Sequence, residues 1–303
     1  MLPPSIELVE VGPRDGLQNE PSWIGTASKL ELIERLIAAG LRRLEVASFV
    51  RPESVPQMAD AEEVMAGLRP REGVTYIGLA LNKKGAFRAL DTAVNQIGTV
   101  AVASNTFGLR NQNQTVTESV RTAREVMRLA RARGRSAQTG IAMAFGCPFE
   151  GRIEPSSVVD IASRLAEGEP AEIGLADTIG VAVPAEVGEL VNRVREVVGG
   201  IPIRVHFHNT RNTAIANVLA AINAGASVVD ASVGGIGGCP FAPNATGNVA
   251  TEDVAYLLEH SGVSTGVNLQ ALIETARFCS GMLGRALPGM VSRAGDFPSS
   301  AAT

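Results

Sequence analysis

Three short apolar segments, EIGLAD at 172–177, IRVHFH at 203–208 and VVDASV at 228–233, decide the fold of this chain. Each has the length and the β-branched content of a buried strand. Between them lie amphipathic patterns that predict helices over Ala185–Val197 and Ala214–Ala224. Strands that alternate with helices form a parallel sheet, because each helix carries the chain back to the start of the next strand.

The same alternation extends to the N-terminus. The remaining predictions are strands at Ile6–Val11, Leu44–Phe49, Val74–Ala80, Ile97–Ala103 and Gly140–Phe145, and helices at Ala27–Ala39, Ser119–Ala132 and Pro155–Ala166. Successive strands begin roughly 30 residues apart, which is the size of one βα unit. A dinucleotide-binding sheet would need GxGxxG after its first strand, and Val11-Gly12-Pro13-Arg14 lacks it. Eight regular units therefore predict an α/β fold of the (β/α)8 TIM-barrel type.

Two further helical patterns, Thr251–His260 and Asn268–Leu283, follow the eighth strand. We expect them to be extra C-terminal helices that close the barrel. No linker-like composition divides the chain before them, so residues 1–286 are predicted to form a single domain. The segment 287–303 is rich in Gly, Pro and Ser and is predicted to be a flexible tail.

Composition excludes several classes of protein. The 303 residues are 45% hydrophobic and 19% charged, which excludes intrinsic disorder. The net charge is 27 − 31 = −4, so neither a nucleic-acid partner nor an anionic membrane is expected. Three cysteines are too few for a disulfide framework, and neither a signal peptide nor a membrane-spanning apolar run is recognisable. The predicted location is the reducing cytoplasm.

Polar residues gather at the C-terminal ends of the predicted strands, where a (β/α)8 barrel keeps its active site. They are Arg14, Asp15, Gln18, Glu45, Ser48, Ser104, Asn105, Asp177, His206, His208 and Asn209.

His206 and His208 are the sharpest feature of this set. Residues i and i+2 of a strand point to the same side, so both imidazoles can enter one barrel mouth. With a carboxylate such as Asp15 they form a plausible metal triad. The alternative is a pair of core histidines that bond to neighbours. His260, late in a helix, fits a partner of the helix dipole better than a metal ligand.

Two other features have competing interpretations. A guanidinium at Arg14 would provide a fixed positive charge for a developing oxyanion, whereas a surface pair with Asp15 would contribute little. The glycine-rich segment Gly234–Cys239 is either a tight turn, a phosphate cradle, or a mobile lid that delivers a thiol. Cys147, in a second Gly-Cys-Pro-Phe string, is interpreted as a structural cysteine.

Taken together, the chain resembles the 3-hydroxy-3-methylglutaryl-CoA lyases, a family of metal-dependent TIM-barrel lyases. The resemblance extends from about Ile6 to Leu283. Its strings are VGPRDGLQNE at 11–20, ADTIG at 176–180, VHFH at 205–208, SVGGIGGCPFA at 232–242, GNVATED at 247–253 and TGVNL at 265–269.

The resemblance implies a divalent cation, Mg²⁺ or Mn²⁺, held by Asp15, His206, His208 and Asn248. It also implies that Arg14 stabilises an enolate oxygen, that Cys239 transfers a proton, and that Asp177 and Glu45 support the site. His206 is a candidate base. The implied partner is a small-molecule acyl-CoA, and the expected assembly is a homo-oligomer, namely a dimer. The candidate substrate-binding residues are Arg14, Gln18, Ser48, Asn82, Lys84 and Ser104.

Four positions depart from the strings usual in this family. Pro21 replaces a lysine, Asn209 replaces an aspartate, Asn105 replaces a glutamate, and Gln138-Thr139-Gly140 replaces an Arg-Gly-Tyr-like string. The metal and enolate groups are intact, so the implied reaction is cleavage to acetyl-CoA and a keto acid, acetoacetate for the methylglutaryl substrate. A lyase for another 3-hydroxyacyl-CoA, a related aldolase or synthase, and a catalytically silent barrel used for binding are the alternatives.

Overall fold

Eight parallel strands close into a barrel in the part of the chain that the structure, a computed structural model, describes: residues 2–238 and 247–298. Each strand pairs with the next in sequence, and the eighth pairs with the first. The strands are β1 (Glu7–Glu10), β2 (Arg43–Ser48), β3 (Thr75–Leu79), β4 (Gln96–Val102), β5 (Ser136–Ala142), β6 (Ile173–Asp177), β7 (Ile203–Phe207) and β8 (Val228–Ala231). The predicted (β/α)8 barrel is confirmed.

Helices surround the barrel and bury their apolar faces against it. The helices are α1 (Thr26–Ala38), α2 (Ala61–Gly67), α3 (Lys83–Leu90), α4 (Asn105–Gln112), α5 (Val116–Ala132), α6 (Pro155–Ala166), α7 (Pro184–Val198), α8 (Ala214–Asn223), α9 (Thr251–His260), α10 (Leu269–Leu283) and α11 (Val291–Ala294). None of them, within the described residues, has both the length and the apolar character needed to cross a bilayer.

The main hydrophobic core lies between the strands and the helices, whereas the inside of the barrel is unusually polar. Outward-facing residues of the strands pack on the helices in one large cluster, and a separate small apolar cluster consists of Val9, Val11, Ile77 and Val228. Polar side chains from several strands share the barrel interior with it. Glu45, Gln96, Gln138, Arg204 and Asp230 are buried, and Arg43 and His206 are half-buried. This polar interior is the environment of the site.

The strand prediction was wrong by several residues at β5, which begins at Ser136 and ends at Ala142 rather than spanning Gly140–Phe145. Gln138 and Thr139 interrupt the apolar pattern, so the predicted strand begins only after them, at Gly140. Gln138 is fully buried and lines the barrel cavity. A strand that faces a polar interior does not have the continuous apolar run that a fully buried strand usually shows.

Helices α2, α3 and α4 were not predicted, because each has eight residues or fewer. Helix α5 begins at Val116, earlier than the predicted Ser119, and Thr115 caps it. The Thr115 hydroxyl accepts from the Glu118 amide, while the Glu118 side chain accepts from the Thr115 amide. This reciprocal capping box satisfies two amides that a helix start leaves unpaired.

The segment that follows α10 packs on the barrel as far as α11. Leu287 is 5% exposed, and the Val291 amide donates to Asp253 at 2.7 Å. The Gly289 amide likewise donates to the Gly234 carbonyl at 3.0 Å. These contacts differ from the frayed segment expected at this point, because the apolar Leu287 finds a buried position. The flexibility of 287–303 and the division into a single domain stay predictions.

Candidate active site

A single tight turn brings Arg14 and Asp15 into the barrel mouth. After β1 the chain forms one π-helical turn over Gly12–Gly16, so that two sequence neighbours need not face opposite sides. The Glu10 carboxylate, fully buried at the end of β1, accepts from the Gly12 amide at 2.7 Å and from the Val233 amide at 2.9 Å. Glu10 thereby fixes the turn to the segment that follows β8.

Arg14 and Asp15 belong to a short network of charged side chains. The Arg14 guanidinium donates to Asp15 Oδ1 at 2.6 Å and to Glu45 Oε1 at 2.5 Å, and Gln18 Nε2 donates to Asp15 at 3.2 Å. Burial alone would raise the pKa of Asp15, but Arg14 and the two nearby histidines outweigh it and lower this pKa to about 2. Asp15 is therefore a carboxylate at neutral pH, as a metal ligand must be.

The two histidines of β7 have different electrostatic environments. His206 Nδ1 lies 2.6 Å from Asp230 Oδ1; burial opposes the charged form, but Asp230 prevails and raises the pKa of His206. Burial and the neighbouring His206 lower the pKa of His208 to about 4. Since Nδ1 of His206 is bound to Asp230, its Nε2 is the nitrogen left to bind a cation. Carboxylates commonly orient metal-binding imidazoles in this way.

Asn248, which follows the glycine-rich segment in sequence, joins Asp15, His206 and His208 in the barrel mouth. Its Nδ2 donates to Asp15 Oδ2 at 2.8 Å and to the Ile236 carbonyl at 3.1 Å. A short bridge pairs its backbone with that of His208. Gly237 lies against it with a φ of 108°, and a Cβ there would come within 2.6 Å of Asn248 Nδ2. Glycine is therefore required at 237 both by the backbone conformation and by this close approach.

The donor set fits a hard divalent cation. One ligand atom each from Asp15, His206 and His208 lies within 4.8 Å of the others. Asn248 Oδ1 and His208 Nδ1 are buried, and neither has a hydrogen-bond partner among the described residues. Buried polar atoms are nearly always paired, so these two point to a missing ligand. Carboxylate, amide and imidazole groups without thiolate suit Mg²⁺ or Mn²⁺.

These groups open into a cavity of about 710 Å³ in the barrel mouth. Its wall includes Arg51, Arg110 and Thr178 as well as many of the predicted site residues: Arg14, Asp15, Gln18, Glu45, Ser48, Asn82, His206 and His208. A volume of this order fits a small ligand or the reactive end of a larger one.

Four predicted residues of the described part of the chain are not on the cavity wall: Asn248, whose contacts are given above, Lys84, Ser104 and Asp177. Lys84 is exposed in the first turn of α3. Ser104 is fully buried, where its hydroxyl accepts from the Phe107 amide and lies 3.0 Å from the Cys147 sulfur. Asp177 accepts from the Val181 and Ala182 amides, both at 2.9 Å. Cys239 lies outside the described residues.

A family model described as HMGL-like matches residues 5–279. The chain belongs to this family. The carbon–carbon lyase class predicted from the sequence is thereby confirmed, because the similar curated proteins of the HMGL-like family are named as lyases.

Two curated relatives and two solved structures illustrate the similarity. Mitochondrial hydroxymethylglutaryl-CoA lyase of Rattus norvegicus is 42% identical over 97% of this chain and 90% of its own length. A Pseudomonas aeruginosa protein named 3-hydroxy-3-isohexenylglutaryl-CoA/hydroxy-methylglutaryl-CoA lyase is 43% identical over 94% of this chain and 95% of its own. The Bacillus subtilis HMG-CoA lyase structure (37% identity, TM-score 0.94) covers 97% of this chain and 98% of its own. An Acinetobacter baumannii HMG-CoA lyase, solved with coenzyme A and 3-methylmalate (38% identity, TM-score 0.93), covers 98% of both.

The four departures from the family strings lie in different places. Gly140 lies on the cavity wall, whereas Pro21, Asn105 and Asn209 do not. Asn105 accepts from the Val116 amide at 2.9 Å, and Asn209 accepts from the Ala214 amide at 3.2 Å. Both therefore organise loops of this HMGL-like barrel, and Gly140 is the departure that changes the space available to a ligand.

Sequence reasoning missed Asp230, Arg204 and Gln138, which all line the cavity. Asp230 had a detectable signal, since a lone carboxylate inside an apolar strand segment needs a partner. Arg204 had the same signal two residues before His206, on the same face of β7. Gln138 was noted only as part of a departure from the family's Arg-Gly-Tyr-like string, and its place in the barrel was missed because the strand that contains it was misplaced.

A second buried carboxylate fixes the glycine-rich segment of this HMGL-like chain. Glu252 is fully buried at the start of α9, and its Oε2 accepts from the Gly234 amide at 2.9 Å. Burial raises the pKa of Glu252 to about 8 and that of Glu10 to about 7. At neutral pH Glu252 therefore favours the protonated form, and Glu10 is close to half-protonated.

We expect the free energy of unfolding to fall as pH rises from about 5 to about 8. In this window the unfolded chain has lost the Glu252 proton, near its ordinary value of 4.5, while the folded chain keeps it. Each such proton contributes a slope of up to about 1.4 kcal/mol per pH unit. Glu252→Gln should reduce this slope, as measured by urea unfolding at pH 5, 6.5 and 8. Glu63→Gln, at an exposed position of α2, is the control, and an equal slope in wild type and Glu252→Gln would contradict the prediction.

Proposed function

We propose that this protein is a divalent-metal-dependent acyl-CoA lyase that cleaves 3-hydroxy-3-methylglutaryl-CoA, or a close analogue, into acetyl-CoA and a keto acid, acetoacetate for the methylglutaryl substrate. The observation that carries the proposal is the convergence of Asp15, His206 and His208 within 4.8 Å, with the Arg14 guanidinium bonded to Asp15. The names of the similar lyases support the choice of substrate.

Cleavage between C2 and C3 of such a substrate is a retro-Claisen step. The C3 hydroxyl loses its proton and becomes a carbonyl as the C2–C3 bond breaks. The bonding electron pair passes to C2 and the thioester oxygen as an enolate, and a proton then returns to C2 to give acetyl-CoA. The reaction thus needs a proton acceptor near C3, a positive charge near the thioester oxygen and a proton donor near C2.

The residues of the mouth meet these needs in different ways. Arg14 is oriented by Glu45 and Asp15, so its guanidinium is preorganised to stabilise negative charge on the enolate oxygen. His206 is the candidate proton acceptor, because Asp230 raises its pKa while that of His208 is lowered to about 4. Since its Nδ1 is bonded to Asp230, His206 would take up the proton at Nε2, and only while that nitrogen is not bound to the cation. Glu45 and Asp177 act on position, the first by holding Arg14 and the second by fixing the loop that follows β6.

The proposal includes a divalent metal because four suitable ligand side chains converge in the barrel mouth. Asp15, His206, His208 and Asn248 would hold Mg²⁺ or Mn²⁺ through oxygen and imidazole ligands. When bound, such a cation supplies a Lewis acid for the C3 oxygen. The protein's contribution is the orientation of the ligands, with Asp230 on His206 and the Asn248 amide on Asp15.

The acyl end of the substrate fits the cavity inside the mouth, and the CoA portion would extend outward. Gln18, Ser48 and Asn82 lie on the wall and are the proposed polar contacts. Asn82 also caps α3 by accepting from the Gly85 amide at 2.9 Å, so its position is fixed. Lys84 and Ser104 stay predictions as substrate contacts, as do the cytoplasmic location and the dimer; the Rattus norvegicus relative above is named mitochondrial.

A substrate panel tests the function. The protein, loaded with Mg²⁺ or Mn²⁺, is incubated with 3-hydroxy-3-methylglutaryl-CoA and with 3-hydroxyacyl-CoAs that have other substituents at C3, and acetyl-CoA release is followed. Release from the methylglutaryl substrate supports the proposal. Release from another member alone favours a lyase of different specificity, which Gly140 on the cavity wall motivates. Formation of a carbon–carbon bond without cleavage would favour a synthase.

Replacement of Cys239 tests the proton donor. We expect Cys239→Ala to lower kcat by roughly 10²–10⁴, since a positioned proton-transfer group contributes about this much. Steady-state kinetics with the methylglutaryl substrate provide the measurement. Cys279→Ala, a buried cysteine of α10, is the matched control and should leave kcat unchanged. An unchanged kcat in Cys239→Ala would remove this residue from the mechanism.

A further inference from the structure

A second layer of the barrel interior lies below the metal-binding residues. Arg204 precedes His206 by two residues on β7, so both side chains point inward and their Cα atoms are about 7 Å apart along the strand. The register pairs Arg204 with Gly174 of β6, and Gly174 in turn with Gly140 of β5. One arginine and two glycines thus share one level of three neighbouring strands.

The absence of side chains at this level leaves room beside the arginine. A Cβ built at Gly140 would meet only ordinary contacts, 3.8 Å from an Arg204 guanidinium nitrogen and 4.0 Å from Val100. Gly98, on β4, lies on the same cavity wall, and a Cβ there would also have no contact shorter than 3.4 Å. The cavity therefore extends from the mouth down to the guanidinium.

The polar groups that face this space lack partners. Arg204 is 8% exposed, and its Nε and one terminal nitrogen are buried with no hydrogen bond to any described residue. Gln138 lines the same cavity, and both its amide oxygen and its amide nitrogen are buried and unpaired. A buried cation without hydrogen bonds and a buried amide without partners are costly unless a ligand satisfies them.

The carboxylates nearest to Arg204 have closer cationic partners elsewhere. Asp230 lies 3.4 Å from Arg204 but 2.6 Å from His206. Glu172 also lies 3.4 Å from Arg204, whereas Arg43 is 2.8 Å away from it. Arg204 Nε and Nη1 thus each face one of these carboxylates at 3.4 Å without hydrogen-bond geometry. The remaining nitrogen, Nη2, lies nearest the open space at Gly140 and is the donor that an anion in the cavity would meet.

We propose that Arg204, with Gln138 beside the same cavity, binds a carboxylate at the acyl end of the substrate and thereby selects 3-hydroxyacyl-CoAs whose C3 substituent ends in a carboxylate. The inference rests on the proposed lyase function for its substrate, but it assigns a separate specificity-determining residue. The open space at Gly140 is the route by which the substituent reaches the guanidinium, whereas the Arg204 side chain itself packs over Gly174, where a Cβ would lie 3.2 Å from its Nε.

The test compares an acid with its uncharged counterpart of nearly equal shape. Acetyl-CoA release is measured for 3-hydroxy-3-methylglutaryl-CoA and for the methyl ester of its distal carboxyl group, in wild type and in Arg204→Met. We expect Arg204→Met to lower kcat/KM for the acid by roughly 10- to 100-fold, as for loss of a hydrogen bond to a charged group. The same substitution should change kcat/KM for the ester by less than about threefold. Equal losses for acid and ester would overturn the proposal, because a purely structural arginine affects both alike.

Two further measurements separate selectivity from folding and from the proposed function. Arg43 is the closer partner of Glu172 and does not line the cavity. Arg43→Met should therefore lower the stability of the protein without changing the ratio of kcat/KM for the acid to kcat/KM for the ester. Free 3-hydroxy-3-methylglutarate and its monomethyl ester are also titrated calorimetrically into the metal-loaded protein. If no acyl-CoA releases acetyl-CoA, the lyase function fails, while weaker binding of the diacid to Arg204→Met still supports the carboxylate site. Equal diacid binding by wild type and Arg204→Met would overturn it.

Discussion

Replacement of His208 by alanine is expected to abolish stable metal binding and, with it, acetyl-CoA release. His208 is 3% exposed, its pKa is lowered to about 4, and it is therefore neutral and available for coordination at pH 7. Loss of a residue that merely orients a ligand typically costs 10- to 100-fold in metal affinity or activity, so loss of a ligand itself should exceed about 100-fold. Metal content after dialysis and kcat/KM are the two measurements.

His260→Ala is the matched control for this prediction. His260 is exposed at the end of α9 and interacts with Asp296 at 3.1 Å, far along the chain from the mouth. Its replacement should leave metal content and kcat/KM unchanged. Full metal occupancy in His208→Ala, with wild-type occupancy in the control, would contradict the ligand assignment even if activity were lost.

Replacement of Arg14 by glutamine is expected to lower kcat by roughly 10²–10³, because one preorganised donor to a developing oxyanion contributes about this much. Glutamine keeps a polar side chain but removes the guanidinium that donates to both Glu45 and Asp15. Since the charge on the thioester oxygen develops mainly as the C2–C3 bond breaks, KM should change much less than kcat. Steady-state kinetics with 3-hydroxy-3-methylglutaryl-CoA provide the measurement.

A second variant separates this catalytic effect from a folding defect. Arg14→Gln alone leaves Glu45, which is 3% exposed, without its cationic partner, and an unpaired buried charge is destabilising. The double variant Arg14→Gln/Glu45→Gln removes both charges and should recover thermal stability without recovering kcat. Recovery of kcat in the double variant would show that Arg14 acts by holding the structure and not on the enolate.

Much of the fold was predictable because strand and helix patterns alternate with little interruption. Helices α6 and α9 begin and end at the predicted residues, and β7 differs from its prediction by one residue. The failure at β5 has a specific cause. Strand prediction relies on apolar continuity, and Gln138 faces a polar interior that only the closed barrel creates.

The site was predictable where one local pattern contains the chemistry. The spacing of His206 and His208 indicated two imidazoles on one face, and the structure brings Asp15 to them from the turn after β1, six strands earlier in the chain. Asp177 and Ser104 illustrate the limit. Both follow strands as site residues do, but backbone amides from the next turn bind their side chains, and no residue pattern reveals which polar group a loop will use.

The proposed catalytic residues and the proposed recognition residues occupy two successive levels of the polar barrel interior, and one strand contributes to both. His206 belongs to the upper level with Asp15. Arg204, two residues earlier on β7, belongs to the lower level with Gly140 and Gly174. Under the two proposals, substitutions in the lower level would alter which acyl groups bind, while the upper level would keep its metal ligands. Substrate specificity would then evolve through exchanges at positions 140, 174 and 204, while the residues proposed to cleave the carbon–carbon bond stay the same.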